Sequence, residues 1–269
     1  LNLKDKKINK VNFISTGWTN IVYEVNTNEG SYFFRFPRDD FWTRTIVKDC
    51  EFANYIYGKT KFDTVKLNQL DDKQRPFSLH KKIEGVPLVE RIKDLTPIEI
   101  DQIAKEIADF MYQLHSVKFN KNEIFKTKDI GLNLVDFLDE LIEKHLHDED
   151  KGFWKYNEFS KKDNNCLVHG DLNSSNILID ENNHISAVID FGFAGFGNKY
   201  YDISRILSRL SSDFKDEEMG KYFKNSIIKH YENASNNKLD YNVLDNEITL
   251  WKDIDGGYIN YMRGIGIYE

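Results

Sequence analysis

The sequence predicts an α+β protein in two parts, an N-terminal antiparallel sheet lobe followed by a mostly helical C-terminal lobe. Three observations carry that expectation. Short β-rich segments separated by turn residues open the chain, apolar residues recur at three and four from Thr96 onward, and between Cys166 and Gly195 two short apolar strands each deliver a carboxylate. The chain has 269 residues, enough for one large domain or two lobes. The division is expected near Glu84, giving residues 1–84 and 85–269, with no internal repeat.

Val11 to Ile14 and Ile21 to Val25 read as strands around Ser15-Thr16-Gly17-Trp18-Thr19-Asn20, and Tyr32 to Phe36 as a third after the Asn28-Glu29-Gly30 turn. Thr43 to Tyr57 has helical spacing in Ile46, Val47, Cys50, Ala53 and Ile56. Phe62 to Leu67 and Pro76 to Ile83 read as further strands. Thr96-Pro97-Ile98-Glu99 is a helix start, with Thr as N-cap, Pro at the first helical position and Glu closing a capping box. That helix is expected to reach about His115, with Ile100, Ile103, Ile107, Phe110, Met111 and Leu114 facing the core and His115 packing at its end. Leu132 to Leu146 reads as a second helix. Tyr200 to Leu210, Asp213 to Tyr231 and Tyr241 to Trp251 read as helices, with a further short one through Gly257 to Arg263.

The chemistry concentrates in C-L-V-H-G-D-L-N-S-S-N-I-L-I-D, a turn at Glu181 to His184, and I-S-A-V-I-D-F-G-F-A-G. Asp171 and Asp190 stand at strand ends, and Asn176 follows Asp171 by five residues. Phosphoryl transfer from a nucleotide asks for this set, because it depends on positioning and charge neutralisation. One carboxylate must orient an attacking hydroxyl and accept its proton, and a second carboxylate with an amide can hold a hard divalent ion. Asp171 fits the first role; Asn176 and Asp190 fit the second, as Mg2+ ligands. His169 is expected to anchor backbone rather than carry a proton, since Asp171 already fills that role.

No apolar run is long enough for a transmembrane helix, and Leu1 to Lys10 has no apolar signal-peptide region, so a cytoplasmic protein with no membrane partner is expected. Cys50 and Cys166 are far apart, with no clustered metal-ligand pattern, and read as buried thiols. The net charge of −7 disfavours a nucleic-acid surface and suits a small cationic substrate.

The spacing His169-Gly170-Asp171, Asn176 and Asp190-Phe191-Gly192, continuing to Tyr201-Asp202-Ile203, resembles the aminoglycoside phosphotransferase and choline kinase superfamily. The resemblance implies a bilobal protein-kinase-like fold with ATP or GTP as co-substrate and Mg2+. It implies a phosphate loop at Gly17, Thr19 and Asn20, and a phosphate-bridging cation at Arg35, with Arg38 as fallback and Glu51 as the partner of Arg35. It implies a hinge at Lys82, Ile83 and Glu84 whose backbone meets the nucleotide base, and a propping role for Asp202. The acceptor is then expected between the core and the C-terminal helices, where residues 211–269 carry eleven acidic residues against seven Lys or Arg. Trp251, Tyr258 and Tyr261 could add faces for a quaternary amine. His169-Gly170-Asp171 and Asp190-Phe191-Gly192 look like aminoglycoside enzymes, whereas Phe193 and Arg35 look more like choline kinases. An aminoglycoside-type acceptor leads, with choline, ethanolamine or another amino alcohol as the alternative. A non-catalytic nucleotide-binding protein is the further alternative, and a monomer or weak dimer is expected.

Overall fold

The structure, a computed structural model, describes residues 6–14, 19–40, 42–64, 66–71, 76–127, 140, 143, 165–214 and 216–264. Gly17 and, apart from residues 140 and 143, the helix expected over Leu132 to Leu146 lie outside the described residues. The chain opens as strands β1 (Ile8–Ile14), β2 (Asn20–Thr27) and β3 (Gly30–Pro37), then helix α1 (Thr43–Ile56) and the short β4 (Asp63–Thr64). Strands β5 (Asn68–Asp71), β6 (Pro76–Lys81) and β7 (Val86–Pro87) follow, then α2 (Leu88–Arg91) and a 3-10 turn (Ile92–Asp94). Helices α3 (Pro97–Ser116) and α4 (Lys121–Ile124) precede β8 (Cys166–Val168), β9 (Ile177–Ile179), β10 (Ile185–Val188) and β11 (Gly195–Gly197). Helices α5 (Tyr200–Asp213), α6 (Glu217–Ser235) and α7 (Tyr241–Gly264) complete the described chain.

The N-terminal lobe is a five-stranded antiparallel sheet in the order β1-β2-β3-β6-β5. Its register sets Arg35 on β3 between Val22 on β2 and Ser78 on β6. Helix α1 packs on this sheet and buries Ile46, Cys50, Ala53 and Ile56, a stripe that keeps returning to one side at 3.6 residues per turn. The strand expected at Phe62 to Leu67 proves different. Among the described residues of that stretch only Asp63 and Thr64 pair, in parallel and in the second sheet, with Ala187 and Val188 of β10. Leu67 is drawn into the core, and Asn54 of α1 holds its backbone through Leu67 N–H and C=O, at 3.1 and 2.9 Å.

The helical part has the expected anchor at Thr96. Glu99 N–H donates to Thr96 Oγ1 at 3.4 Å and Thr96 N–H donates to Glu99 Oε2 at 2.8 Å, completing the capping box. Helix α3 buries Ile100, Ile103, Ile107, Phe110, Met111 and Leu114 and packs along α6. Its acidic side chains also fix the turn that joins β9 and β10. Glu99 accepts from Asn183 Nδ2 at 2.7 Å, and Glu106 accepts from Ile185 N–H at 2.7 Å. The break expected before Gly257 is absent, since α7 is one helix from Tyr241 to Gly264. Two glycines cost about 1 kcal/mol each in a helix interior. Burial of Trp251 and Ile254 against the neighbouring helix offsets that cost and carries the helix through. No helix among the described residues is long and apolar enough to cross a membrane.

Gly85 joins the two parts in a conformation that needs glycine, with φ +126°. A Cβ there would lie 2.5 Å from Ser186 Oγ and 2.9 Å from the Ile179 carbonyl oxygen. Gly85→Ala is therefore expected to lower stability by roughly 2–4 kcal/mol through backbone strain and overlap. The measurement is the urea midpoint; an unchanged midpoint refutes the tight approach.

Candidate active site

The second and third sheets deliver the acidic loops. Strand β8 pairs with β11, and β9 with β10, so the strands that lead into Asp171 and Asp190 belong to two separate small sheets. The loops are then tied directly. Ile189 N–H donates to the Asn176 carbonyl at 3.0 Å, and His169 Nε2 donates to the Ile189 carbonyl at 3.0 Å. Asp171 N–H donates to His169 Nδ1 at 3.3 Å, which fixes the tautomer with its hydrogen on Nε2. His169 is fully buried and serves the backbone of both loops.

Asp171 and Asn176 meet as their spacing predicts. Asn176 Nδ2 donates to the Asp171 carbonyl at 2.9 Å and to Asp171 Oδ2 at 3.2 Å, which turns Asn176 Oδ1 away as a free oxygen donor for a ligand. Asp190 lies at φ +67°, an uncommon backbone conformation for a non-glycine residue that is enriched at functional sites. Phe191 plugs the core below it, its ring 5.6 Å from Phe52 and 4.6 Å from His169.

Arg35 reaches Asp190 Oδ1 at 2.9 Å and also pairs with Asp49. The expected Arg35–Glu51 pair is thereby corrected. Glu51 instead accepts from Lys126 N–H at 2.9 Å, Thr127 N–H at 3.2 Å and the Thr127 hydroxyl at 2.8 Å. Two residues along a helix turn about 200°, so only one of these acids can face β3. Ile46, Asp49, Ala53 and Ile56 share the buried side of α1 and Glu51 lies on the other. Asp49 also accepts from Phe191 N–H at 2.8 Å, so one carboxylate holds both the cation and the Asp190 loop.

Burial pushes the Asp49 carboxyl up to about 6, with Arg35 opposing the shift and Asp190 adding to it. Desolvation also works against the Asp190 charge, but Arg35 outweighs it and holds this carboxylate below the usual range. The Arg35 guanidinium loses favour by burial and gains more from Asp190 and Asp49, so its pKa rises. Beside it, burial depresses the His80 imidazole to about 4, and Nδ1 donates to the Lys81 carbonyl at 3.0 Å.

The other predicted nucleotide residues divide. Asn20 is buried and its Nδ2 donates to Thr19 Oγ1 at 2.9 Å; its Oδ1 is buried without a hydrogen-bond partner among the described residues. At the hinge, Lys82 N–H donates to the Ser31 carbonyl at 2.8 Å and Ser186 Oγ donates to the Glu84 carbonyl at 2.9 Å. Those two backbone groups are engaged within the protein. The Lys82 ammonium turns outward to Glu24 at 2.8 Å.

Asp202 holds the Asp171 loop from below, accepting from His169 N–H at 2.8 Å and Gly170 N–H at 2.8 Å. His115 Nε2 donates to it at 3.1 Å, and His115 Nδ1 accepts from the Tyr231 hydroxyl at 2.9 Å. Burial raises the Tyr231 pKa and keeps that hydroxyl protonated. His115 is thus a link from α3 and α6 to the loop. Both cysteines are free and buried, and burial pushes the Cys166 thiol up to about 12.

Sequence reasoning missed Asp49 and Arg205. Arg205 on α5 donates through Nε to Asp171 Oδ1 at 2.9 Å, with Nη2 2.8 Å from the same oxygen. Its Nη1 lies 2.8 and 2.9 Å from the two oxygens of Asp255 on α7. Its guanidinium also covers the Trp251 ring, 4.6 Å from the centroid. Most of the C-terminal acids have similar internal duties. Asp216 caps α6, Glu232 pairs with Lys238, and Glu247 is buried. Asp213 stays beside the loop and accepts from Ser174 Oγ at 2.6 Å; burial raises its carboxyl pKa. Of Tyr258 and Tyr261 only the backbone is described.

The described residues contain no group of three or more His, Cys, Asp and Glu arranged to hold a metal ion by themselves. An amide oxygen and one carboxylate remain, a donor set that suits Mg2+ shared with phosphate oxygens and water.

Comparison with known proteins agrees with this architecture. The model of the phosphotransferase enzyme family matches residues 10–234. An aminoglycoside 3'-phosphotransferase of Acinetobacter baumannii is 26% identical over 234 residues, covering 82% of this chain and 86% of that protein. Among solved structures, the GDP and kanamycin complex of APH(2")-IIia superposes with a TM-score of 0.70 at 20% identity, over 97% of this chain and 89% of that one. A macrolide 2'-phosphotransferase from Brachybacterium faecium gives a TM-score of 0.61 at 13% identity, over 97% of this chain and 90% of that one. At these identities the solved structures speak for the fold.

Proposed function

Since the chain belongs to the phosphotransferase enzyme family, we propose that it transfers the γ-phosphate of ATP or GTP to a hydroxyl of an aminoglycoside. The observation that carries this reading is the joining of Asp171, Asn176 and the Asp190 loop through Asn176 Nδ2 and the Ile189 N–H. In this reading Asp171 orients the acceptor hydroxyl and accepts its proton as the phosphoryl group leaves the nucleotide. Asn176 Oδ1 and the Asp190 carboxylate would hold Mg2+, which supplies charge neutralisation on the phosphates. Arg35, braced by Asp49, would add its positive charge beside Asp190 to neutralise the phosphates. Thr19 and Asn20 approach the phosphates from the first turn. Base recognition narrows to the hinge backbone that Ser31 and Ser186 leave unused, which centres on Ile83.

A curated relative that acts on aminoglycosides supports the acceptor class. The site itself favours a polyamine over a quaternary amine. Asp213 stands beside the loop, whereas the Trp251 face is covered by Arg205 and is not open to a trimethylammonium group.

Steady-state turnover with ATP or GTP and magnesium, against aminoglycosides, macrolides, choline and ethanolamine, tests the proposal. Selective turnover of aminoglycosides is expected. Turnover of choline or ethanolamine alone transfers the assignment to amino alcohols, and nucleotide binding without any turnover points to a non-catalytic role.

A further inference from the structure

Helix α5 touches the catalytic loop twice, three residues apart. Asp202 accepts from the backbone N–H groups of His169 and Gly170, and Arg205, nearly one turn later, holds the side chain of Asp171. Both contacts are buried, Asp202 fully and Arg205 at 8% exposure. Two guanidinium nitrogens converge on Asp171 Oδ1, while among the described residues Asn176 alone meets Oδ2. The two carboxylate oxygens are thereby made unequal, with Oδ1 engaged and Oδ2 left to receive a hydroxyl.

Arg205 is itself fixed on two further sides. Asp255 receives Nη1 with both oxygens, Arg209 lies 3.5 Å from Asp255, and Trp251 stacks on the guanidinium face. Burying such a ladder of charges adds little net stability compared with apolar packing of the same volume. What a planar five-donor fork does supply is direction.

We propose that Arg205 is a positioning residue for phosphoryl transfer, fixing the Asp171 carboxylate so that Oδ2 faces the acceptor hydroxyl, and that Asp255 on α7 keeps Arg205 in register. The inference rests on the reading of Asp171 as the residue that receives the acceptor proton. It also gives Arg205 a selective effect. An ammonium group of a cationic acceptor would otherwise pair with Oδ1 and turn the carboxylate from its task, and the guanidinium occupies that position first.

The test is a kinetic cycle on the full chain with Asp171→Asn, Arg205→Gln, Arg205→Lys, Asp255→Asn and the double variant Asp171→Asn/Arg205→Gln. Acceptor turnover and acceptor-free nucleotide hydrolysis are both measured, so that the reading does not depend on one acceptor. Arg205→Gln is expected to lower kcat by about 10- to 100-fold with the nucleotide KM within about twofold, because a small misplacement of a reacting group has that effect. Arg205→Lys, which keeps charge without the fork, falls between, and Asp255→Asn, with Arg205 still in place, loses about 3- to 10-fold. The double variant is expected to be no slower than Asp171→Asn alone, since Arg205 acts through Asp171. Losses that multiply in the double variant, or an Arg205→Gln enzyme as fast as wild type where Asp171→Asn has lost turnover, overturn the inference alone. An Asp171→Asn enzyme as fast as wild type overturns the reading of Asp171 as well.

Discussion

Asp171→Asn is expected to lower turnover by roughly 10²- to 10⁴-fold, the usual contribution of a positioned general base, while nucleotide affinity in the presence of magnesium stays within about twofold. The substitution is nearly isosteric, and its amide oxygen can still accept from Arg205. Its new NH2 group then faces Asn176 Nδ2, which donates to Asp171 Oδ2 at 3.2 Å in the native site. Two donors oppose each other there, and the oxygen that would take the acceptor proton is gone. The phosphate side is spared, because Arg35 and Asp190 are joined to each other and to Asp49 without passing through Asp171. Turnover and nucleotide titration on the same preparation separate the two effects. Turnover near wild type would mean that another group receives the proton, and loss of nucleotide affinity would mean that Asp171 belongs to the phosphate site.

The juxtaposition of the candidate site residues was legible in the sequence because their constraint is local. Asp171 and Asn176 are five residues apart on one loop, and the strands before Asp171 and Asp190 announce themselves as short apolar runs. The capping box at Thr96 is local in the same way. Arg205 was hidden because its partners are 34 and 50 residues distant, and a single arginine in an amphipathic helix looks like any solvated one. The exchange of Asp49 for Glu51 has a plainer cause. The buried stripe of α1 through Ile46, Ala53 and Ile56 carries Asp49 with it, so helical phase already separated the two acids. Strand β11 could not be read at all, since Gly195-Phe196-Gly197 has weak strand propensity and pairs only because β8 lies beside it. Residue pattern likewise could not announce that Asp63 and Thr64 would leave the first sheet for a parallel pairing with β10.

Removing the Asp202 carboxylate is expected to have the largest effect on stability. The group is fully buried and accepts from two loop N–H groups and from His115. Asp202→Ala leaves those donors without an acceptor and opens a cavity, at a cost of roughly 3–5 kcal/mol. Asp202→Asn keeps one acceptor oxygen and turns an NH2 group toward the second backbone donor, so its loss is expected to be smaller, roughly 2–4 kcal/mol. Acid gives an independent readout. Burial works against the Asp202 charge, but the hydrogen bond from His115, with the His169 N–H adding to it, holds its carboxyl below the ordinary range. A depressed folded-state pKa contributes stability that is complete above the unfolded value near 4 and is lost as pH falls through the folded value. The stability difference between wild type and Asp202→Asn should therefore be constant near neutrality and shrink below about pH 4. Urea midpoints measured from pH 7 to pH 3 check this, and a difference that stays constant to pH 3 would show that the carboxylate charge contributes nothing. The same variants connect the prop to the chemistry. Asp202 fixes the backbone one and two residues before Asp171, so any Asp202 variant that still folds should lose kcat well before it loses nucleotide binding.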